Sequence, residues 1–189
     1  DAASASVAHA KLVDRVRLFF ERYDVLALPV TQVPPFDIDC EWVTEVTLRT
    51  VFLALASQRV QLEGMVLKPS MTISGKSCKQ QADHREVAAR TIAVLKRTVP
   101  GAVPGIAFLS GGQGDEDATI HLNEMNRLGA LPWALTFSYG RGLQAPALKA
   151  WRGQTSSVAA AQSVLLHRAR MNGLAATGDY RAELEKKAA

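Results

Sequence analysis

Lys68 is the side chain in this sequence best placed to do covalent chemistry. It closes an apolar stretch, VQLEGMVLKPSM over 60–71, and Pro69 follows at once, the pattern of a buried strand ending at the rim of a barrel. An ammonium group taken out of water loses several kcal/mol unless it is paired or gives up its proton. A lysine kept in such a place is suited to nucleophilic work, because its free amine attacks a carbonyl and forms a Schiff base. An apolar run ending in lysine is common, and pattern alone favours a Lys68 that sits just past the strand and snorkels to solvent.

A second set of residues could hold an anion. IAFLS over 106–110 reads as a strand that opens into SGGQGDEDA, where Gly111, Gly112 and Gly114 let the backbone approach a ligand and present amide N–H groups to a phosphate. An ordinary turn leading into a helix fits the same residues. Asp115, Glu116 and Asp117 favour the first turn of the helix that follows, running to about Leu128, and so leave its dipole to side chains. ALTF over 134–137 is another strand and ends in SYGR. Arg141, just beyond it, is able to grip a phosphate with two donors, and Gly140 lets the backbone come near; a solvated surface arginine is the plainer alternative. Ser110, the glycines and Arg141 follow consecutive strands, and (β/α)8 barrels commonly build phosphate sites from the loops after strands seven and eight.

The elements that must position these groups alternate along the chain. An amphipathic helix is expected over 7–23 and a short strand, VLALPV, over 25–30, closed by Pro34 and Pro35. A helix over 44–59, with Val46, Leu48, Val51, Phe52, Leu55 and Ala56 on one side, delivers the chain to the Lys68 strand. The polar segment SMTISGKSCKQQ over 70–81 reads as a rim loop. Asp83 with Glu86 three residues on has the capping-box pattern for a helix running to about Val99. Helices are expected over 144–151 and 156–176, the second with Val158, Ala161, Val164, Leu165, Ala169 and Leu174 inward and the arginines of HRARMNG coating its outer face. The tail, GDYRAELEKKAA, is expected to fray.

Bulk composition narrows the function classes. The chain has 189 residues and a net charge of +4 with no basic run. Mild basicity suits an anionic substrate, whereas basic residues not clustered with aromatics give no reason to expect nucleic acid. Cys40 and Cys78 show no CxxC or Cys/His spacing, so reduced thiols and no metal site are expected. No apolar run approaches the about 18 residues of a membrane span, and no signal-peptide pattern opens the chain, which points to a cytoplasmic protein with no membrane partner.

LEGMVLKPSM over 62–71, GIAFLSGGQ over 105–113 and LPWALTFSYGRGLQAPALKAW over 131–151 resemble, in order and spacing, the sixth, seventh and eighth strand segments of class I fructose-bisphosphate aldolase. The resemblance covers roughly 40–178. It implies an α/β fold, a partial (β/α)8 TIM barrel made of the last three to four βα units, with Lys68 as the Schiff-base lysine. It further implies that Ser110, Gly111, Gly112, Ser138, Gly140 and Arg141 hold the C1 phosphate of the sugar phosphate substrate. The implied reaction is cleavage of fructose 1,6-bisphosphate to dihydroxyacetone phosphate and glyceraldehyde 3-phosphate. It calls for no metal or other cofactor, because the iminium acts as the electron sink.

The first stretch differs: RVRLFFERYDVLALPVTQVPPFDID resembles the C-terminal part of amidase-signature hydrolases, without that family's catalytic serines and lysine. The organisation expected is therefore an amidase-like segment over 1–41, an aldolase-like partial barrel over 42–178 and a polar tail over 179–189, a chimera in outline. A complete barrel typically needs about 250 residues. In the place of strand five stands LPVTQVPPF, where Gln32 cannot exchange a proton; Ser70 replaces the asparagine usual after the Lys-Pro pair; and Tyr180 does not match the family's terminal tyrosine. Each general acid or base typically contributes about 10²–10⁴-fold, so impaired turnover is expected of this chain alone. A noncatalytic phosphate-binding or interaction fragment is the alternative, amidohydrolase a more remote one. Open strand edges predict a homo-oligomer or a complementing half-barrel as partner.

Overall fold

The computed structural model describes residues 43–75 and 77–188; the amidase-like helix and strand expected before them, and Gln32, lie outside the described residues. The chain runs α1 (Val43–Ser57), β1 (Val66–Leu67), α2 (His84–Thr98), β2 (Gly105–Phe108), α3 (Asp115–Arg127), β3 (Ala134–Phe137), α4 (Arg141–Trp151) and α5 (Val158–Thr177). The strands form one parallel sheet in the order β1-β2-β3. Three βα units in sequence order are the layout of part of a (β/α)8 barrel, as expected from the sequence.

Burial alternates along each strand and divides the sheet into two unlike faces. Leu67, Ile106, Phe108 and Leu135 are buried against the helices, meeting Val87 and Ile92 of α2, Ala118, Leu122 and Met125 of α3, and Met171 and Ala175 of α5. Burying a side chain such as Phe108 stabilises the fold by about 1.5–3 kcal/mol. The opposite face carries Val66, Ala134 and Thr136 and is open; Val66 is 50% exposed. A strand buried on both faces is therefore not what Lys68 follows, because among the described residues helices cover one side of the sheet only.

The stretch over 60–71 is also not one long strand. α1 ends at Ser57, Arg59 turns the chain with φ 56, and Leu62–Gly64 forms a 3₁₀ turn, leaving two residues for ladder pairing. Val60 N–H and Arg59 N–H donate back to the carbonyls of Leu55 and Ala56, at 3.1 and 3.0 Å, and these end-of-helix bonds consume the residues that would have extended the strand. On α1 itself Leu48 and Phe52 are buried and Leu55 packs partly against them. Val46 and Leu53 of the expected apolar side or beside it stay exposed.

One helix starts where its pattern predicts. Asp83 caps α2, accepting from the Glu86 N–H at 2.8 Å, although the Glu86 carboxylate turns to Arg90 instead of closing the box. Trp133 donates its indole N–H to the Pro100 carbonyl at 3.0 Å and fixes the loop before β3.

The C-terminal expectation is overturned. The buried side of α5 consists of Arg168, Met171, Asn172 and Ala175, while Val158 and Leu165 are exposed. Arg168, expected on the outer face, is 4% exposed. It donates to Glu185 at 2.5 Å, to the Asp115 carbonyl at 3.0 Å and to Thr119 Oγ1 at 2.6 Å. The tail does not fray: Tyr180 is buried, Ala182–Ala188 winds into a 3₁₀ helix, and Glu185 also meets His167 at 2.7 Å and accepts from the Tyr180 hydroxyl at 3.1 Å. Partners lying in the tail explain why a helix-period reading missed this face.

Candidate active site at the strand ends

The predicted residues gather at one end of the sheet. Lys68 is half-buried and directly follows β1. Leu109 N–H donates to the Pro69 carbonyl at 3.1 Å, so the pairing of β1 with β2 continues past the assigned strand. Continued register sets Lys68 beside Ala107, which pairs with Thr136. Because Leu67 faces the helices, alternation turns Lys68 to the open face with those two residues.

One step further along β2 lies the turn over 110–113. Gly111 and Gly112 have φ 59 and 81, and Gln113 N–H closes the turn on the Ser110 carbonyl at 3.0 Å. Two consecutive left-handed residues are the mirror-image β-turn that only glycine adopts without strain. Ser110 is buried beneath it.

β3 delivers the other half. Ser138 N–H donates to the Phe108 carbonyl at 2.8 Å, and its side chain is exposed. Tyr139 is buried with its hydroxyl donating to the Ala118 carbonyl at 2.8 Å; burial holds that phenol well above its ordinary range. Arg141 is exposed, but it is the first residue of α4 rather than part of a loop, since the helix starts three residues earlier than expected. Gly140 occupies the cap position. Gly142 explains how the loops meet: a Cβ there would lie 3.3 Å from the Ser110 Cβ, so the first turn of α4 rests directly on the glycine turn. The structure thus brings Ser110, Gly111, Gly112, Gly140 and Arg141 to adjoining strand ends, with Ser138 beside them.

Electrostatics separates the two helix starts. The first turn of α3 holds Asp115, Glu116 and Asp117, whereas that of α4 holds no acid, no capping side chain and one arginine. The first N–H groups of a helix lack intrahelical acceptors and carry a partial positive charge. An anion is therefore repelled from α3 and drawn to α4.

Sequence reasoning missed Gly142 and Gln113. Gln113 donates its side-chain amide to the Ser110 carbonyl at 2.9 Å and to Met71 Sδ at 3.6 Å, and it faces His121 Nδ1 at 2.5 Å. Its adjacency to the glycines was the only available signal. Among the described residues no group of three His, Cys, Asp or Glu is arranged to hold a metal ion, and no helix is long and apolar enough to cross a membrane. Cys78 is a free, exposed thiol.

A family model described as "Glycolytic: Fructose-bisphosphate aldolase class-I" matches residues 36–189. A probable fructose-bisphosphate aldolase class 1 of Xanthomonas axonopodis pv. citri is 57% identical over 143 residues, covering 75% of this chain and 43% of that protein. Fructose-bisphosphate aldolase 1 of Toxoplasma gondii is 54% identical over 141 residues, covering 75% and 39%. A co-crystal structure of fructose-bisphosphate aldolase from Plasmodium falciparum, in complex with TRAP and an inhibitor, superposes with a TM-score of 0.77 at 45% identity, covering 84% of this chain and 46% of that one. The chain therefore spans less than half the length of these relatives. With a family model matched over most of its length and three βα units in one parallel sheet, it belongs to the class I fructose-bisphosphate aldolase family.

Proposed function

We propose that the protein is a Schiff-base aldolase acting on fructose 1,6-bisphosphate, with Lys68 as nucleophile and Ser110, Gly111, Gly112, Ser138, Gly140 and Arg141 around the C1 phosphate. The observation that carries this is the adjacency of three strand ends in one parallel sheet, with Lys68 on the first and an uncapped, acid-free helix start resting on a glycine turn at the other two. The Lys68 amine adds to the C2 ketone and water leaves, giving an iminium. Removal of the O4 proton then breaks the C3–C4 bond, releasing glyceraldehyde 3-phosphate, and the electron pair comes to rest as an enamine. Protonation at C3 and hydrolysis release dihydroxyacetone phosphate and restore the lysine. The phosphate grip holds the ketone against the amine, which is where positioning lowers the barrier. Within this reading the protein is a cytoplasmic lyase of glycolysis that needs no metal for its electrophile. The amidase-like likeness of residues 1–41 supplies no group to the scheme.

Borohydride trapping with dihydroxyacetone phosphate, followed by peptide mapping, tests it. An adduct on Lys68 that is lost in Lys68→Ala is expected. Phosphate-dependent stabilisation without any adduct would instead leave a noncatalytic phosphate-binding fragment, and ammonia released from amide substrates would favour the hydrolase.

The open face, together with the outer edges of β1 and β3, supports a second element of the proposal. A bare parallel sheet is a template for pairing, so the chain associates with itself or with a complementing half-barrel. Light scattering on the purified chain should show more than a monomer; a sharp monomer that melts cooperatively sinks this.

A further inference from the structure

His84, Gln113, Asp117 and His121 form a connected group beneath the anion loop that the scheme above does not use. Gln113 is its hub. The Ser110 carbonyl can only accept, so the Gln113 nitrogen must face it at 2.9 Å, and the same nitrogen reaches Met71 Sδ at 3.6 Å. That leaves Gln113 Oε1 toward His121 Nδ1 at 2.5 Å, and an amide oxygen also only accepts. His121 Nδ1 therefore carries the proton and donates. Burial, then the neighbouring His84, hold this imidazole down to about 4, so the neutral tautomer persists at ordinary pH. His84 lies against it, ring centroids 4.9 Å apart and tilted by 55°, and meets Asp117 Oδ1 at 3.1 Å.

The nitrogen end of the Gln113 amide matters because of what it joins. Met71 is buried three residues beyond Lys68, and Ser110 is the buried base of the glycine turn. A single side-chain nitrogen thus spans the segment leaving the nucleophile and the segment holding the anion. An amide left without the His121 donor is fixed at its nitrogen end alone, and its oxygen is free to swing the side chain away from the line between Met71 and Ser110. We infer that His121, acting through Gln113, is a positioning residue that locks the separation between the Lys68 segment and the phosphate loop. This rests on the Schiff-base reading above and adds to it a residue on α3 that touches no substrate.

The test compares His121→Leu with His121→Asn, since asparagine carries its amide nitrogen on Cγ as histidine carries Nδ1. Small misplacements of reacting groups can cost up to about 10²-fold, so His121→Leu is expected to slow trapping of dihydroxyacetone phosphate on Lys68 at saturating ligand by about 10-fold. His121→Asn should return it to within about 3-fold of wild type. A merely structural histidine would shift the melting temperature and leave the saturated trapping rate alone, and that result overturns the inference while the Schiff-base reading stands. Long-range ¹H–¹⁵N NMR gives a readout free of chemistry: an Nδ1-protonated His121 and Gln113 amide resonances that move in His121→Leu support the lock, and an Nε2-protonated ring breaks it. Wild-type protein that neither traps the ligand nor is stabilised by inorganic phosphate removes the Schiff-base reading, and the lock's purpose with it.

Discussion

The rim of the sheet and the polar knot under α5 use similar residue types to opposite ends. At the rim Lys68 is half-buried and Arg141 exposed, and the turn on the strand between them carries the left-handed Gly111 and Gly112. In the knot Arg168 is buried and its two terminal nitrogens donate to Glu185, the Asp115 carbonyl and Thr119, while its Nε has no partner among the described residues; His167 and Tyr180 close on the same carboxylate. A cation surrounded by acceptors is a structural rivet. A cation at an open rim is available to an anion or an electrophile. The difference teaches that burial among acceptors commits a charge to the fold, whereas a charge at the rim stays free to meet a ligand.

The largest way to break the contrast is at the knot. Arg168→Ala leaves Glu185 short of its main partner at a nearly buried site, and losing one member of such a pair costs about 3–5 kcal/mol. Urea denaturation should show that loss, and Glu185→Leu combined with Arg168→Met should recover part of it, with a coupling of at least about 1 kcal/mol. Lys68→Ala, by contrast, should change stability by less than about 0.5 kcal/mol. Equal losses at the two cations would erase the distinction.

Acid should separate the regions in order. His121 near the rim is held down to about 4 by burial and then by His84, against an ordinary value of 6.5. The unfolded chain takes a proton there that the folded chain refuses, so its contribution is full above pH 6.5 and is lost as pH falls toward 4. Burial pushes the Glu185 carboxyl up, but hydrogen bonds from Arg168 and His167 outweigh it and hold the group below its ordinary 4.5. Its contribution is present above 4.5 and lost only at lower pH. Unfolding free energy followed from pH 7 downward should therefore fall in two windows. His121→Leu should flatten the upper one and Glu185→Gln the lower one.

How much of this was legible in the sequence follows from where each partner lies. ALTF was readable to the residue, and so was the Asp83 cap, because both depend on neighbours within a few positions. Lys68, the glycine turn and Arg141 were legible through resemblance and rim position. The early start of α4 was not: Pro146 is more natural near a helix start, and here it lies inside the helix, where it cannot donate to the Gly142 carbonyl four residues before it. Nor could periodicity reveal that Arg168 faces inward, since Glu185 lies 17 residues on and Asp115 53 residues back. His121 carried no signal in the sequence, because its partner Gln113 meets it through the turn between β2 and α3 and not through helix spacing.

At the rim, a change with little effect on stability should have a clear effect on binding. Gly142→Ala gains up to about 1 kcal/mol of helix propensity and loses a similar amount by pressing a methyl to 3.3 Å from the Ser110 Cβ. Net stability should move by less than about 1 kcal/mol. The two anion loops must part by a few tenths of an ångström, and inorganic phosphate should bind about 10-fold more weakly, the equivalent of about 1.4 kcal/mol. Calorimetric titration measures it, and unchanged affinity would show that contact between the loops does not set the phosphate grip.

The smallest effect tests whether the rim is insulated from the helix layer. Asp83→Ala removes the acceptor for the Glu86 N–H and should cost about 1 kcal/mol, the usual worth of an N-cap. The loop over 70–81 leaves the Lys68 strand and ends at this cap, so a change in Lys68 trapping is conceivable on sequence distance alone. The structure argues against it: Thr72 N–H is tied to Thr91 Oγ1 at 3.0 Å, and Ala82 N–H to Ser74 Oγ at 2.9 Å, so the loop is pinned on the Lys68 side of the cap by bonds that do not involve Asp83. Asp83→Ala should therefore lower the melting temperature and leave the trapping rate at Lys68 unchanged. A slowed rate would mean that the start of α2, and not only the turn beneath Ser110, sets the position of the nucleophile.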